Sequence, residues 1–148
     1  MKKLISIICL LLVFENQAFT FPTVQVTGED IDTCGISKSR IEASISSVFR
    51  QNNIKLTYNT SETEYYAHHT VSTYELPTYC FYNLVFEMKS FREVFPFIGS
   101  QKPYRANVIW CKRRISNFSN TKVVMNELIE HYKIMTEICI NEIDEKFR

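Results

Sequence analysis

Glycine is scarce in this chain of 148 residues, where it occurs at only three positions, Gly28, Gly35 and Gly99. Glycine-rich phosphate loops need several glycines, because a backbone without Cβ atoms lets its N–H groups approach a phosphate closely. The scarcity therefore excludes nucleotide-binding loops of that type. The sequence also lacks the Gly-x-Ser-x-Gly motif of serine hydrolases and the His-Glu-x-x-His motif of zinc proteases, so it shows no catalytic motif of defined spacing.

The net charge is also close to zero, because 17 basic residues are balanced by 16 acidic ones. Removal of the N-terminal segment discussed below, which holds Lys2, Lys3 and Glu15, leaves 15 residues of each sign. A protein with this balance has no overall field that would draw it to nucleic acid or to a membrane surface. We therefore expect no nucleic-acid partner.

The histidines and cysteines lack the spacing of metal sites, since neither Cys-x-x-Cys nor His-x-x-x-His occurs. His68 and His69 are neighbours, and neighbouring side chains on a strand point to opposite faces. His131 lies far from both in the sequence. We expect no metal and no cofactor. A cysteine nucleophile activated by histidine is also disfavoured, because oxidised cysteines are not nucleophiles.

The N-terminus has the three-part pattern of an export signal. A positive stretch at residues 1–3 precedes an apolar run at 4–14, and Ala18 provides the small residue that signal peptidase needs. The apolar run is too short to span a bilayer. Cys9 lies within it without a small residue just before it, which disfavours a lipid anchor there. We expect a signal peptide at 1–18, a mature protein of 130 residues and no stable membrane anchor.

Four cysteines remain after the signal, namely Cys34, Cys80, Cys111 and Cys139. An even number of thiols in an exported chain predicts a disulfide framework in an oxidising compartment. The short Lys-Lys start is typical of a bacterial signal. These features together predict a periplasmic protein of a Gram-negative cell, with release outside the cell as the alternative.

The order of helix-like and strand-like segments in the mature chain predicts an α+β fold. Residues 19–36 form a lead-in segment, and residues 37–148 form a single disulfide-stapled domain. Apolar residues at helical spacing predict an N-terminal helix at 38–51 and a long C-terminal helix at 122–145. Strand-favouring residues predict four strands between them, at 54–58, 65–76, 80–95 and 104–115. This order favours a four-stranded antiparallel meander with both helices packed on one sheet face.

The third predicted strand shows the clearest alternation, which places five residues on a buried face: Cys80, Tyr82, Leu84, Phe86 and Met88. For the fourth strand the sequence allows two alternative sets of inward-facing residues. One set is Ala106, Val108 and Trp110, and the other is Ile109 and Cys111. A simple hairpin turn at 96–103 places Cys111 opposite Phe86 or Glu87.

This hairpin register restricts the cysteine pairings. Cys80 then lies about six residues, or roughly 20 Å, from the position opposite Cys111. A disulfide needs Cα atoms within about 7 Å, so a Cys80–Cys111 bond is disfavoured. We favour Cys34–Cys80 with Cys111–Cys139, and Cys34–Cys111 with Cys80–Cys139 is the alternative.

Tyrosines are concentrated in the first three predicted strands, where Tyr65 and Tyr66 are adjacent. Neighbouring rings on one strand cannot both enter a one-sided core, so we expect one of them at the surface. Tyrosine provides amphipathic contact area at low entropic cost. Tyr65 and Tyr66 are therefore candidate binding residues, and strand propensity with core filling is the alternative explanation.

Basic residues dominate the segment from 102 to 122, which has six of them and no acidic residue. Three are consecutive: Lys112, Arg113 and Arg114. We include these three among the candidate binding residues, as a local positive patch for an anionic region of a partner. The alternative is a solvated strand end that acidic residues of the C-terminal helix neutralise.

The small size, balanced charge, cysteines and lack of catalytic motifs favour a small exported non-catalytic binding protein. It would serve as an inhibitor, an immunity-type protein or an accessory protein, and its partner would be another protein. The alternative is a small secreted toxin or hydrolase whose site is assembled from distant residues. Capture of a stoichiometric partner would favour the first function, and growth arrest on periplasmic expression without a partner would favour the second.

Overall fold

The computed structural model describes residues 23–29, 31, 33–59, 63, 65–94 and 104–147. The predicted signal peptide and the turn predicted at 96–103 lie outside these residues. Within the described part, neither helix combines the length and the apolar composition that crossing a membrane requires. The elements follow in the order β1 (Val24–Gly28), α1 (Lys38–Gln51), β2 (Tyr65–Glu75), β3 (Tyr79–Val94), β4 (Tyr104–Asn120) and α2 (Val124–Phe147).

The four strands form one sheet in the order β1-β2-β3-β4. The α+β class is confirmed, and β2, β3 and β4 pair antiparallel as predicted. However, β1 pairs with β2 in parallel, so the sheet is mixed. Parallel neighbours need a crossover connection, and α1 lies in the segment that joins β1 to β2. The predicted all-antiparallel meander is therefore wrong at its first strand.

The first strand of the sheet, β1, comes from the segment predicted as a lead-in. The segment predicted as the first strand, residues 54–58, instead borders β1 through an isolated bridge between Leu56 and Val24. There, the Val24 N–H donates to the Lys55 carbonyl at 3.0 Å, and the Thr57 N–H donates to the Val24 carbonyl at 3.0 Å. Both segments are short and alternate apolar with polar residues, so the local sequence does not show which of them joins the main sheet.

The helices agree closely with the predicted ones, and α1 has the predicted bounds. The Ser37 hydroxyl accepts a hydrogen bond from the Arg40 N–H and so caps the first turn. After the last turn, Asn53 has a φ of 58°, a left-handed conformation that asparagine tolerates. The bounds of α2 lie about two residues later than predicted.

One face of the sheet, here called the inner face, packs against helices, and the opposite face is here called the outer face. His69 of β2 contacts both helices from the inner face. Its Nε2 lies 3.8 Å from the Glu42 carboxylate of α1, and its ring centroid lies 5.5 Å from that of Tyr132 of α2. All five predicted inward residues of β3 are fully buried: Cys80, Tyr82, Leu84, Phe86 and Met88.

The pairing of β4 contains a bulge. Cys111 lies opposite Met88, whereas Ile109 lies opposite Lys89, so Trp110 is an extra residue in the ladder. The bulge shifts the alternation along β4 by one position, which is why neither predicted inward set describes the whole strand. It also places Cys111 opposite a residue one position further along β3 than predicted.

The structure pairs Cys34 with Cys80 and Cys111 with Cys139, which is the favoured one of the two pairings that the hairpin register left open. The Cα atoms are 5.9 Å apart in the first pair and 5.5 Å apart in the second. The first disulfide ties the segment before α1 to the start of β3. The second ties β4 to α2.

Candidate functional site

The two adjacent tyrosines predicted as binding residues lie on opposite faces of the sheet. Tyr65 is 1% exposed on the inner face, and its ring centroid lies 6.2 Å from that of Trp110. Tyr66 is half-buried on the outer face opposite Lys89. Strand alternation separates the rings as expected. It also buries Tyr65, which is therefore not available as a contact residue.

The three consecutive cations do not form one patch, because alternation along β4 sends them to different faces. Arg113 lies on the inner face and forms an ion pair with Glu142 of α2. Lys112 lies on the outer face with its Nζ 2.6 Å from Glu87 Oε1, and this hydrogen bond lowers the pKa of Glu87. Arg114 is exposed on the outer face. Two of the three predicted contact cations are thus neutralised within the fold.

Large exposed aromatic side chains lie instead at the end of the outer face next to the β2–β3 turn. Tyr74, Phe81 and Phe118 are directly opposite one another on β2, β3 and β4. Their exposed fractions are 66%, 46% and 66%. Tyr79, which is 48% exposed, packs edge-on against Phe118 with ring centroids 6.3 Å apart. These four residues are here called the aromatic row.

Small polar side chains border the aromatic row. Ser72, Asn83 and Ser116 lie opposite one another at the next outward-facing positions of β2, β3 and β4. The Ser116 hydroxyl donates to Asn83 Oδ1 at 2.9 Å. This polar rim is neutral and offers hydrogen-bonding groups next to the rings.

Most of the aromatic row was not predicted from the sequence. The alternation that places Tyr82 inward also places Tyr79 and Phe81 outward, so these two could have been found. Phe118 could not, because the predicted last strand ended at residue 115, whereas β4 continues to Asn120. The position of Phe118 opposite Phe81 also depends on the bulge, which has no signal in the sequence.

A cleft of about 500 Å³ opens between β4 and α2 beside the aromatic row. Asn117 and Phe118 line it from β4, and five residues line it from α2: Asn126, Glu127, Glu130, His131 and Ile134. Asn117 and Phe118 point to opposite faces of the sheet. A cavity that contacts both therefore runs along the edge of β4 that faces away from β3.

The Tyr82 hydroxyl connects β3 to the lining of this cleft. It donates to Glu127 Oε2 at 3.4 Å and lies 3.3 Å from His131 Nδ1. Burial raises the pKa of Tyr82, and a hydrogen bond from Asn117 partly opposes this increase. The phenol is therefore protonated at neutral pH and holds the Glu127 carboxylate in place.

The three histidines lie in separate places. His68 is on the outer face, with its Nδ1 3.2 Å from the Thr27 hydroxyl. His69 is buried on the inner face, and His131 lines the cleft. Within the described ranges, no group of three His, Cys, Asp or Glu side chains is arranged to hold a metal ion.

No protein-family model matches this sequence, and no curated protein matches it. Among solved structures, the chain is similar to the rare lipoprotein B from Shewanella oneidensis, with 8% identity and a TM-score of 0.44 over 84% of this chain and 95% of that one. It is also similar to a minor lipoprotein from Acinetobacter baumannii, with 9% identity and a TM-score of 0.38 over 86% of this chain and 90% of that one. At these identities and TM-scores, neither likeness bears on the function of this chain.

Proposed function

We propose that this chain is an exported, non-catalytic binding protein that recognises another protein through the aromatic row. The observation that carries the proposal is the alignment of Tyr74, Phe81 and Phe118 across three neighbouring strands. Contiguous exposed apolar groups on a soluble protein commonly mark an interaction site. The N-terminal signal pattern and the two disulfides support export. We place the protein in the periplasm, with secretion beyond the cell as the alternative.

The chemistry around the aromatic row favours a protein as the partner. Strand pairing holds the backbone of the row in place, so covering the rings orders few additional groups. Aromatic side chains are enriched at the centres of protein interfaces, and a polar rim surrounds such centres. Membrane-binding faces instead carry lysine and arginine beside their aromatic residues, because these attract anionic lipids. Beside the rings lie the neutral side chains of Ser72, Asn83 and Ser116, and the exposed Arg114 lies one outward position further along β4. One arginine beside a neutral polar rim fits a protein interface better than a lipid-binding face, which needs several basic residues.

The alternative function, a small secreted toxin or hydrolase, would use the cleft. His131 and Glu127 offer a base and a carboxylate there, but the lining residues include no hydroxyl or thiol nucleophile. Tyr82 contributes the hydroxyl that contacts them, and burial raises its pKa, which makes it a weak nucleophile. The cleft therefore supports binding better than covalent catalysis.

Photo-crosslinking in living cells tests the proposed function. A photoreactive phenylalanine analogue replaces Phe118 in the exported protein, and the matched control replaces Tyr58, which is 82% exposed but lies outside the aromatic row. We expect illumination to give one dominant crosslinked product at position 118 and none at position 58. The same product in equal yield at both positions would contradict recognition by the aromatic row.

The captured partner then allows affinity measurements. Phe81→Ala and Phe118→Ala should each weaken binding by about 2 kcal/mol, because aromatic anchors dominate interface energies. Tyr58→Ala should change it by less than about 0.5 kcal/mol, the usual effect of a residue outside the interface. Isothermal titration calorimetry measures both changes, and circular dichroism checks that each variant is folded. If the row variants bind as tightly as the Tyr58 variant, the aromatic row is not the contact surface.

A further inference from the structure

We propose that the partner protein contributes an extended segment that adds as a further strand to the edge of β4 beside the aromatic row. The segment would pair with residues 115–119, here called the open edge. This proposal rests on the proposed function, because it specifies how a partner engages that end of the sheet.

β4 lies at the edge of the sheet, where a further strand can pair with it. β4 pairs with β3 along one side, and among the described residues no strand pairs with its other side. An edge strand presents unpaired N–H and C=O groups to solvent, and these groups can hydrogen-bond to another strand. Strand addition is a common mode of peptide recognition, in which backbone bonds supply affinity and side-chain pockets supply specificity.

Protection against edge pairing is uneven along β4. Proteins usually protect an edge strand with charged side chains or bulges. The earlier part of β4 has both, because the bulge at Trp110 is followed by Lys112, Arg113 and Arg114. The open edge has neither, since its pairing with β3 is regular and its residues are all neutral: Ile115, Ser116, Asn117, Phe118 and Ser119. Protection therefore ends where the aromatic row begins.

The surroundings of the open edge suit an extended segment. An added strand sends alternate side chains to the two faces of the sheet. On the outer face they would lie beside Phe118 and lengthen the aromatic row. On the inner face they would enter the cleft, next to Ile134, which is 50% exposed, and the polar groups of Glu127 and His131. We therefore expect a partner segment that alternates apolar residues with residues that form hydrogen bonds.

A second copy of this chain is the competing occupant of the open edge. Antiparallel pairing of two open edges would place both α2 helices on the same face of the extended sheet. Glu127 and Glu130 lie on the side of each helix that borders the cleft. Lys133 offsets the charge of Glu130. Glu127, in contrast, accepts a hydrogen bond from the neutral Tyr82 hydroxyl and keeps its charge, so the two Glu127 carboxylates would approach each other. Repulsion between like charges disfavours this pairing and favours a separate extended segment.

A peptide titration tests strand addition without knowledge of the natural partner. The probe is a synthetic nonapeptide that alternates Phe or Val with Thr or Gln. Two control peptides have the same side chains, and each is N-methylated on one of the two alternating sets of backbone amides. Only one side of an added strand pairs with β4, so we expect one methylated peptide to bind about as well as the probe and the other at least about tenfold more weakly.

Nuclear magnetic resonance of the isotope-labelled mature protein measures these affinities and locates the site. We expect the largest shifts at the amides of residues 115–119. Equal binding of both methylated peptides, or shifts concentrated away from residues 115–119, would overturn strand addition. Dimerisation of the free protein in sedimentation experiments, if Ser116→Lys abolishes it, would assign the open edge to a second copy and also overturn the proposal.

Two matched lysine substitutions separate strand addition from docking on the sheet face. Ser116→Lys lies on the edge strand, and Asn83→Lys lies in the same polar rim on β3, which is paired on both sides. Both remove the same Ser116–Asn83 hydrogen bond. For the partner captured at position 118, we expect Ser116→Lys to weaken binding at least about tenfold and Asn83→Lys less than about threefold.

The two proposals fail in different ways in these experiments. If the Phe81 and Phe118 variants lose binding but the two lysine variants weaken it equally, the proposed function stands and strand addition is wrong. If no partner is captured at position 118, the proposed function fails, and the methylated peptides still decide whether the open edge accepts a strand.

Discussion

At the scale of single residues, His69 is the side chain least suited to its surroundings. It is fully buried, and among the described residues neither ring nitrogen has a hydrogen-bond partner. Its ring fills the space over Gly28 of β1, where a Cβ atom would overlap Nε2, so glycine allows the close approach. The Glu42 carboxylate lies 3.8 Å from Nε2. Burial, and less so the charges of His68 and Lys38, lowers the pKa of His69 to about 4.

This low pKa predicts a loss of stability in acid. Below its ordinary pKa of 6.5 the unfolded chain binds a proton at His69 that the folded chain does not. The free energy of unfolding should therefore fall as the pH drops from 6.5 to about 4, by about 3 kcal/mol in total. Urea titrations at several pH values measure the free energy of unfolding. The contribution of His69 is the difference between the pH dependence of the wild type and that of His69→Leu.

The neighbouring histidine provides the control for this measurement. His68 is only half-buried, and its pKa is lowered by burial and by the charge of Lys89. His68→Leu should therefore remove a smaller part of the pH dependence than His69→Leu. A His69→Leu variant with the same pH dependence as the wild type would show that another group takes up the proton.

At the scale of elements, the sequence predicted the helices and β3 well, and the pairing of the other strands less well. Helical spacing and the alternation from Cys80 to Met88 are local patterns, and one long side of each element is buried in a single core. The parallel strand β1 and the bulge at Trp110 depend instead on contacts between distant segments. Local propensity does not distinguish such pairings.

The same distinction applies to the candidate site. Alternation predicted that Tyr65 and Tyr66 separate to opposite faces, but the direction of each ring depends on which strand faces the helices. The three consecutive cations were predicted to form one patch because they are adjacent in the sequence. Strand alternation separates them, since Arg113 faces the opposite side of the sheet from Lys112 and Arg114. The aromatic row and the open edge depend on the register of three strands, so they become visible only in the folded sheet.

The buried side of α2 gives a prediction at this scale. Leu128 is fully buried against the core, whereas Ile134 on the same helix is half exposed. Leu128→Ala should lower the free energy of unfolding by about 2–5 kcal/mol, because it removes buried methyl groups and leaves a cavity. Ile134→Ala should lower it by less than about 1 kcal/mol. Denaturant titration compares them, and equal losses would mean that this helix is packed differently.

At the scale of the whole molecule, the two disulfides join parts of the chain that strand pairing leaves separate. β2, β3 and β4 form a continuous antiparallel unit, and β1 joins it by parallel pairing with β2. The segment between β1 and α1 that holds Cys34, and the helix α2, lie outside this pairing. Cys34–Cys80 fastens the N-terminal part to the start of β3. Cys111–Cys139 fastens α2 to β4, which are the two elements that form the cleft.

A prediction about the disulfides follows from this arrangement. Non-reducing peptide mapping of the exported protein should find Cys34 linked to Cys80 and Cys111 linked to Cys139. A peptide linking Cys80 to Cys111 would show that the hairpin register is different. Replacing either pair by serines should lower the free energy of unfolding by about 3–4 kcal/mol, because loops of 46 and 28 residues are no longer closed in the unfolded chain.

The two serine variants should differ in partner binding, although their stabilities are similar. Loss of the Cys111–Cys139 bond frees α2 to move relative to β4, so the cleft beside the open edge is no longer held in one shape. Binding of the nonapeptide should therefore weaken more in the Cys111→Ser/Cys139→Ser variant than in the Cys34→Ser/Cys80→Ser variant, whose disulfide joins β3 and not β4 to another part of the chain. Titrations at a temperature where both variants are folded measure this difference. Equal affinities would show that packing alone holds α2 against β4.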